Sequence, residues 1–196
     1  CITSNIDSTA SLNLDISNLN FNLPNSSNSV EIRWPDTVLD QESRISKYKI
    51  PMALEFANKF NINKPIWNKG KKKLGIIATG KAYADTLECF SRLGINEKKA
   101  AEIGIHLFKV GMPWPLENKG IENFSKNIEE LFVIEEKRSF LETEVKSLLY
   151  NVKNMPKVIV GKSDENNNEL LSKNYELSKS NIENALVSRI FKSCNV

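Results

Sequence analysis

Leu74-Gly75-Ile76-Ile77-Ala78-Thr79 is an uninterrupted apolar run, and Gly80-Lys81-Ala82-Tyr83 follows it directly. A strand with one face in water alternates apolar and polar residues, whereas a run without polar interruption suits a strand buried on both faces. After Gly80 the period changes. Ala82, Tyr83, Leu87, Phe90 and Leu93 fall at helical spacing, and Gly94 stands where a helix C-cap favours a left-handed residue.

The plan repeats toward the C-terminus. A short helix is predicted from near Asn96 to Gly104, then a strand from Ile105 to Val110. The prolines of Gly111-Met112-Pro113-Trp114-Pro115 cannot continue a central strand, so a rigid turn is predicted at its carboxyl end. A helix with Ile121, Phe124 and Ile128 leads to a third strand, Leu131-Phe132-Val133-Ile134. Ser139-Phe140-Leu141-Glu142 fits a capping box opening a helix with Val145, Leu148 and Leu149. A fourth strand, Val158-Ile159-Val160, precedes a polar loop over 163–168. Ser180-Asn181-Ile182-Glu183 fits a second capping box, opening a last helix with Ile182, Leu186, Ile190 and Phe191. Short apolar strands alternating with amphipathic helices predict an α/β fold: a doubly wound, mostly parallel sheet with helices on both faces. The strand order stays open.

Working outward, residues 31–73 read as a helical connector. Pro35-Asp36-Thr37 offers a helix start, with Val38, Leu39, Ile45 and Tyr48 near helical spacing, and a second amphipathic stretch follows Pro51. Two short helices packed on something larger are predicted, with residues 62–67 leading into a basic loop. Residues 1–30 are dense in Asn and Ser and contain no Lys or Arg, which predicts an extended arm or linker. The expected division is therefore 1–30 arm, 31–73 connector and 74–196 α/β domain.

The chain has 196 residues, 40% hydrophobic and 26% charged, the composition of a globular domain with a full core. No apolar stretch approaches the roughly 18 residues that span a bilayer, so no membrane partner is expected. The opening Cys1-Ile2-Thr3-Ser4 reads as no secretory signal, and the missing initiator Met fits a piece cut from a longer polypeptide. Net charge is +3 with mixed signs. The basic run Lys69, Lys71, Lys72 and Lys73 reads as a phosphate patch or, more plainly, as a solvated loop. Without aromatic interleaving it gives no support to nucleic-acid binding. Cys1, Cys89 and Cys194 form no C-x-x-C pair, so neither an iron–sulfur cluster nor a structural zinc site can be assembled from them. Free thiols point to a reducing compartment, the cytoplasm by default.

Open parallel sheets gather ligands at the carboxyl ends of their strands. Four such ends are legible: Thr79-Gly80-Lys81, the turn at Trp114, Glu135-Glu136-Lys137-Arg138, and Gly161-Lys162. Thr79, Gly80 and Lys81 bring a hydroxyl, a glycine and a lysine to a helix start, which suits an anion; a close strand-to-helix turn explains them as well. Neither a Walker loop nor a dinucleotide fingerprint is present. Glu135 and Glu136 could divide acid and base roles, but adjacent residues leaving a strand point oppositely, so hydrogen-bonded or ion-paired carboxylates are the plainer reading. Trp114 suits stacking on a flat ligand or anchoring a neighbouring domain. His106, the only histidine, lies mid-strand as a satisfied core or surface group. The chain has no Gly-Asp-Gly segment of the kind that binds thiamine diphosphate. No catalytic, cofactor-binding or metal-binding residue is assigned.

Several stretches resemble the bacterial indolepyruvate ferredoxin oxidoreductases. They are Ile32-Arg33-Trp34-Pro35-Asp36-Thr37, Leu74 through Tyr83, Lys109-Val110-Gly111-Met112-Pro113-Trp114-Pro115-Leu116-Glu117, Val133-Ile134-Glu135-Glu136-Lys137-Arg138, and Gly161-Lys162-Ser163-Asp164-Glu165 followed by Glu176-Leu177-Ser178. Cys1-Ile2-Thr3 with Ser8-Thr9-Ala10-Ser11 is similar to the family's preceding stretch. The matches are colinear over nearly the whole chain, and the arm between Asp15 and Glu31 is the least similar part. The resemblance implies the transketolase C-terminal-like domain of a large, oligomeric enzyme. That enzyme converts aryl 2-oxoacids with coenzyme A to acyl-CoA and carbon dioxide, passing electrons to ferredoxin. Thiamine diphosphate, Mg2+ and iron–sulfur clusters would be held by its other domains, which are this chain's implied partners. Two further readings stay open: a free-standing flavodoxin-like module binding coenzyme A or a nucleotide through Gly80, Lys81, Gly161 and Lys162, and a separate regulatory or assembly subunit.

Overall fold

The computed structural model describes residues 35–194; the arm expected over 1–30 lies outside the described residues. The chain divides into two compact units, residues 1–56 and 57–196.

In the first unit Thr37 caps helix α1 (Val38–Arg44) as its sequence predicts. Thr37 Oγ1 accepts the Asp40 N–H at 3.2 Å, and the Asp40 carboxylate accepts the Thr37 N–H and hydroxyl in return. The chain then runs through a π-helical segment, Ile45–Lys49, into α2 (Ile50–Lys59). Pro51 has no N–H to offer the preceding turn, and a local widening of the helix is one way a chain absorbs that loss. Val38 and Leu39 are 81% and 76% exposed.

The second unit is built on a five-stranded sheet in the order β1-β3-β2-β4-β5. The strands are β1 (Lys64–Trp67), β2 (Leu74–Thr79), β3 (Ile105–Val110), β4 (Glu130–Ile134) and β5 (Val158–Val160). All pairings are parallel except β1 with β3. The β1 strand corrects the sequence reading, which took residues 62–67 as part of the connector. Its register shifts between Pro65 and Trp67.

Helices α3 (Gly80–Arg92), α4 (Glu97–Ile103), α5 (Asn118–Ser125), α6 (Leu141–Leu149) and α7 (Lys179–Cys194) complete the unit. Leu74, Ile76, Ala78, Phe132 and Ile134 join one apolar cluster with residues of α3 and α7. Ile77, Phe108, Leu131 and Val133 join another with residues of α5 and α6. Both faces of β2 are therefore dry, which is why its sequence shows no alternation. Gly75 leaves room for two side-chain ends. A Cβ on it would lie 2.6 Å from Ile128 Cδ1 and 2.8 Å from Leu131 Cδ2.

Both predicted capping boxes fail, for different reasons. Helix α6 starts after Phe140 with no side-chain cap of its own; its free N–H groups are taken by Glu135, described below. Helix α7 starts one residue before Ser180, and Ser178 Oγ accepts the Asn181 N–H at 3.2 Å. Phe191, counted with its apolar face, is exposed.

Candidate functional site

The chain passes from β2 outward to β3, then returns across β2 to β4, with helices on opposite sheet faces for the two legs. The direction of winding thus reverses between β2 and β4, the place where such sheets leave a crevice at their carboxyl ends. Lys81, one residue into α3, and Glu136, two residues beyond β4, face each other across it with Lys81 Nζ 3.8 Å from Glu136 Oε1.

Gly80 opens α3 at φ +56°, and a Cβ there would meet nothing within 4 Å. Backbone conformation, rather than crowding, accounts for the glycine. Thr79 Oγ1 donates to the Val110 carbonyl at 2.9 Å, tying the end of β2 to that of β3. Lys81 Nζ meets Asp85 at 2.6 Å and Glu176 at 3.0 Å. Burial works against its charge, but the hydrogen bonds and charges of Asp85 and Glu176 carry its pKa above the ordinary lysine value.

Glu135 and Glu136 diverge as their position predicts. Glu135 Oε2 accepts the N–H groups of Phe140 and Leu141 at 3.1 and 2.7 Å, and Oε1 accepts that of Glu142 at 2.9 Å. A carboxylate against the first turn of a helix is favoured by both hydrogen bonding and the helix dipole. Glu136 turns the other way, and its Oε2 accepts the Leu177 N–H at 3.0 Å. Lys137, at φ +56°, donates to the Tyr175 carbonyl at 2.8 Å, while Arg138 is exposed.

Lys162 is 2% exposed. Its Nζ donates to the carbonyls of Glu135 at 2.5 Å and Ser172 at 3.2 Å, and its N–H to Glu142 Oε2 at 2.9 Å. Burial is the main cause of its lowered pKa, against which Glu135, Glu136 and Glu142 act. Gly161 lets the Glu142 carboxylate approach, since a Cβ would lie 2.6 Å from Glu142 Cδ. Glu142 also holds Lys146 at 2.6 Å.

Trp114 stands apart, beyond β3 on the other side of β2, and is 60% exposed. Its turn, with a cis Trp114–Pro115 bond, is anchored by Asn63. The buried Asn63 Oδ1 accepts the Gly111 and Met112 N–H groups, both at 2.9 Å, and Nδ2 donates to the Met112 carbonyl. Asn63 and Asp85 were not singled out in the sequence, and Glu142 and Glu176 were not given these partners. For Asn63 and Glu176 nothing local marks a polar residue whose partner lies dozens of positions away, whereas Asp85 stands only four residues from Lys81.

The basic run disperses. Lys72 Nζ donates to the Phe124 and Lys126 carbonyls and Lys73 Nζ to that of Cys194, while Lys69 pairs with Glu97. Lys72 and Lys73 thus satisfy carbonyls around the carboxyl ends of α5 and α7, where positive charge is favoured. His106 is buried, with Nδ1 3.1 Å from Asn68 Oδ1 and Nε2 3.1 Å from the Lys71 carbonyl. Among the described residues no three His, Cys, Asp or Glu side chains are grouped as metal ligands, and no helix is long and apolar enough to cross a membrane.

The chain is 33% identical over 104 residues to an indolepyruvate oxidoreductase subunit IorA of Pyrococcus horikoshii, covering 50% of this chain and 15% of that one. It is 31% identical over 121 residues to the IorA subunit of Archaeoglobus fulgidus, covering 59% and 18%. The chain therefore spans less than a fifth of the length of these curated relatives. A 2-oxoglutarate:ferredoxin oxidoreductase from Magnetococcus marinus superposes with a TM-score of 0.49 at 13% identity, over 79% of this chain and 24% of that one. The family model described as the indolepyruvate oxidoreductase domain matches residues 64–195, opening on β1. With most of its length matched, the chain belongs to the indolepyruvate oxidoreductase domain family.

Proposed function

We propose that this chain is one domain of a thiamine diphosphate-dependent enzyme that oxidatively decarboxylates aryl 2-oxoacids such as indolepyruvate. Coenzyme A takes up the acyl group and ferredoxin the electrons, in the cytoplasm, in an oligomeric assembly. The observation that carries the reading is the family match from β1 to the end of α7, joined to the colinear motifs at the strand ends. Within that enzyme the domain plays a structural, interdomain part. Its rim supports this role: the ammonium groups of Lys81, Lys137 and Lys162 are all engaged by carboxylates or carbonyls of the chain itself. The same engagement disfavours a free-standing anion-binding module built on Gly80, Lys81, Gly161 and Lys162.

The donor set does not fit the enzyme's cofactors. There is no Gly-Asp-Gly to hold a diphosphate-bound magnesium ion, and the cysteines lack cluster spacing. Thiamine diphosphate, Mg2+ and iron–sulfur clusters therefore belong, in this reading, to other domains, and no chemical step is assigned to these residues.

The test is to isolate the polypeptide or complex that carries this chain and assay reduction of ferredoxin, or of a viologen dye, with indolepyruvate and coenzyme A. Turnover by the assembly and none by residues 1–196 alone is the expected result. An assembly that reduces no acceptor with any aryl 2-oxoacid would overturn the reading.

A further inference from the structure

Five residues, 172–176, lie across the crevice at the switch between β2 and β4. Buried side chains fix both ends, with Leu171 fully covered and Leu177 nearly so. Residues 173–176 are exposed, and Tyr175 is 87% so. What holds the segment down comes from three strand ends. Lys162, beyond β5, donates to the Ser172 carbonyl. Lys137, beyond β4, donates to the Tyr175 carbonyl. Glu136 accepts the Leu177 N–H, and Lys81, beyond β2, pairs with Glu176 and approaches the Leu177 carbonyl at 3.5 Å.

These ties are all polar: that of Lys137 to the Tyr175 carbonyl is exposed, Glu176 is half-exposed in its ion pair, and the others are part-buried. A polar tie exchanges for water on opening, so its net contribution is small beside its gross strength. Tyr175 moreover sits at φ +59°, a conformation that disfavours a side-chain-bearing residue and that opening would relieve. Apolar burial holds the two ends, and strained, hydrated backbone fills the span between them. Low local stability of this kind marks segments that open without global unfolding.

We propose that residues 172–176 form a strap, hinged at Leu171 and Leu177 and latched by the Glu176–Lys81 ion pair, that closes over the carboxyl ends of β2, β4 and β5 and opens to uncover them. Opening releases Lys81 from Glu176 while Asp85 keeps its hold, and takes the Ser172 carbonyl off the Lys162 amine. The strap thereby sets access to the edge where sheets of this kind take ligands.

Lys162 is the natural reporter, because its amine is buried and one of its two acceptors, the Ser172 carbonyl, belongs to the strap. The experiment measures acetylation of Lys162 by an N-hydroxysuccinimide ester and hydrogen exchange of residues 172–177, both by mass spectrometry on the 196-residue chain. Lys162 acetylation and strap exchange are expected to run well ahead of exchange in β2. Glu176→Gln, which weakens the latch, should speed both strap signals about two- to fivefold, the worth of one partly exposed ion pair. Tyr175→Asn, which tolerates the left-handed conformation better, should slow them. In both variants β2 should be unchanged. Lys162 acetylation no faster than β2 exchange, or a Glu176→Gln rate equal to that of the unaltered chain, would overturn the proposal.

Discussion

Glu135 caps the helix that begins at Leu141: its Oε2 accepts the Leu141 N–H at 2.7 Å across six residues of chain. The neighbouring N–H groups of Phe140 and Glu142 share the same carboxylate. Glu135→Ala leaves three buried or half-buried donors without a partner and is expected to cost about 1–3 kcal/mol. Ser139→Ala, which removes the residue that the sequence marks as the cap, should stay within about 0.5 kcal/mol. Urea denaturation of the two variants separates the assignments. A larger loss for Ser139→Ala would restore the capping box.

Lys81 holds Asp85, itself buried, and the folded chain keeps the Lys81 pKa above its unfolded value. A base with a raised folded-state pKa stabilises fully below the unfolded value and loses that contribution as pH climbs through the folded one. Stability is therefore expected to fall on the alkaline side, from about pH 10.5 upward. Lys81→Met strips Asp85 of its cation and should cost about 3 kcal/mol at neutral pH. That variant should also show a flatter alkaline limb in its urea midpoint.

His106 works in the opposite sense. Burial is the chief cause of its lowered pKa; the hydrogen bond to the Lys71 carbonyl opposes it and the Lys72 charge adds to it. The neutral ring is thus favoured in the folded chain, so stability is complete above the unfolded value of about 6.5 and declines as pH falls through it. With one histidine in the sequence, its ring protons give an uncrowded NMR titration, expected to have a midpoint below 6.5. His106→Gln should flatten the fall in urea midpoint between neutral and mildly acid pH.

Gly75 faces Ile128 and Leu131 at distances that a Cβ could take only if their terminal methyls gave way. Gly75→Ala is expected to lose about 1–3 kcal/mol through overpacking at the centre of the sheet. Pairing it with Ile128→Val, which withdraws the nearer methyl, should recover part of that loss in thermal denaturation.

Trp114 is largely exposed, so Trp114→Ala should change the stability of the 196-residue chain by less than about 0.5 kcal/mol. If the interdomain role is right, the same substitution should lower the melting temperature of the complete assembly. Equal, negligible shifts in both would remove Trp114 from the interface.

The reach of the sequence follows from where each signal resides. Strands β2 to β5 and the helices between them were legible because burial on two faces writes itself into unbroken apolar runs such as Leu74 to Ala78. Strand β1 was not, since Lys64-Pro65-Ile66-Trp67 occupies an outer position where Lys and Pro are tolerated and no apolar run is needed. The strand ends gathering Lys81, Glu136 and Lys162 could be read, because parallel strands bring their carboxyl ends to one rim. What those side chains hold could not. The partners of Lys81 include Glu176, those of Glu136 include Leu177, and those of Lys162 include Glu135 and Ser172. Each pairing is set by tertiary closure rather than by local pattern.

The two outermost strands carry a consequence for how the domain meets other molecules. On one side Pro65 has no N–H to offer a newcomer, and the register there is broken beside it. On the other side β5 is three residues long, too short to template a stable ladder. Among the described residues both margins of the sheet are thus poor templates for a further strand, and lateral growth into filaments is discouraged.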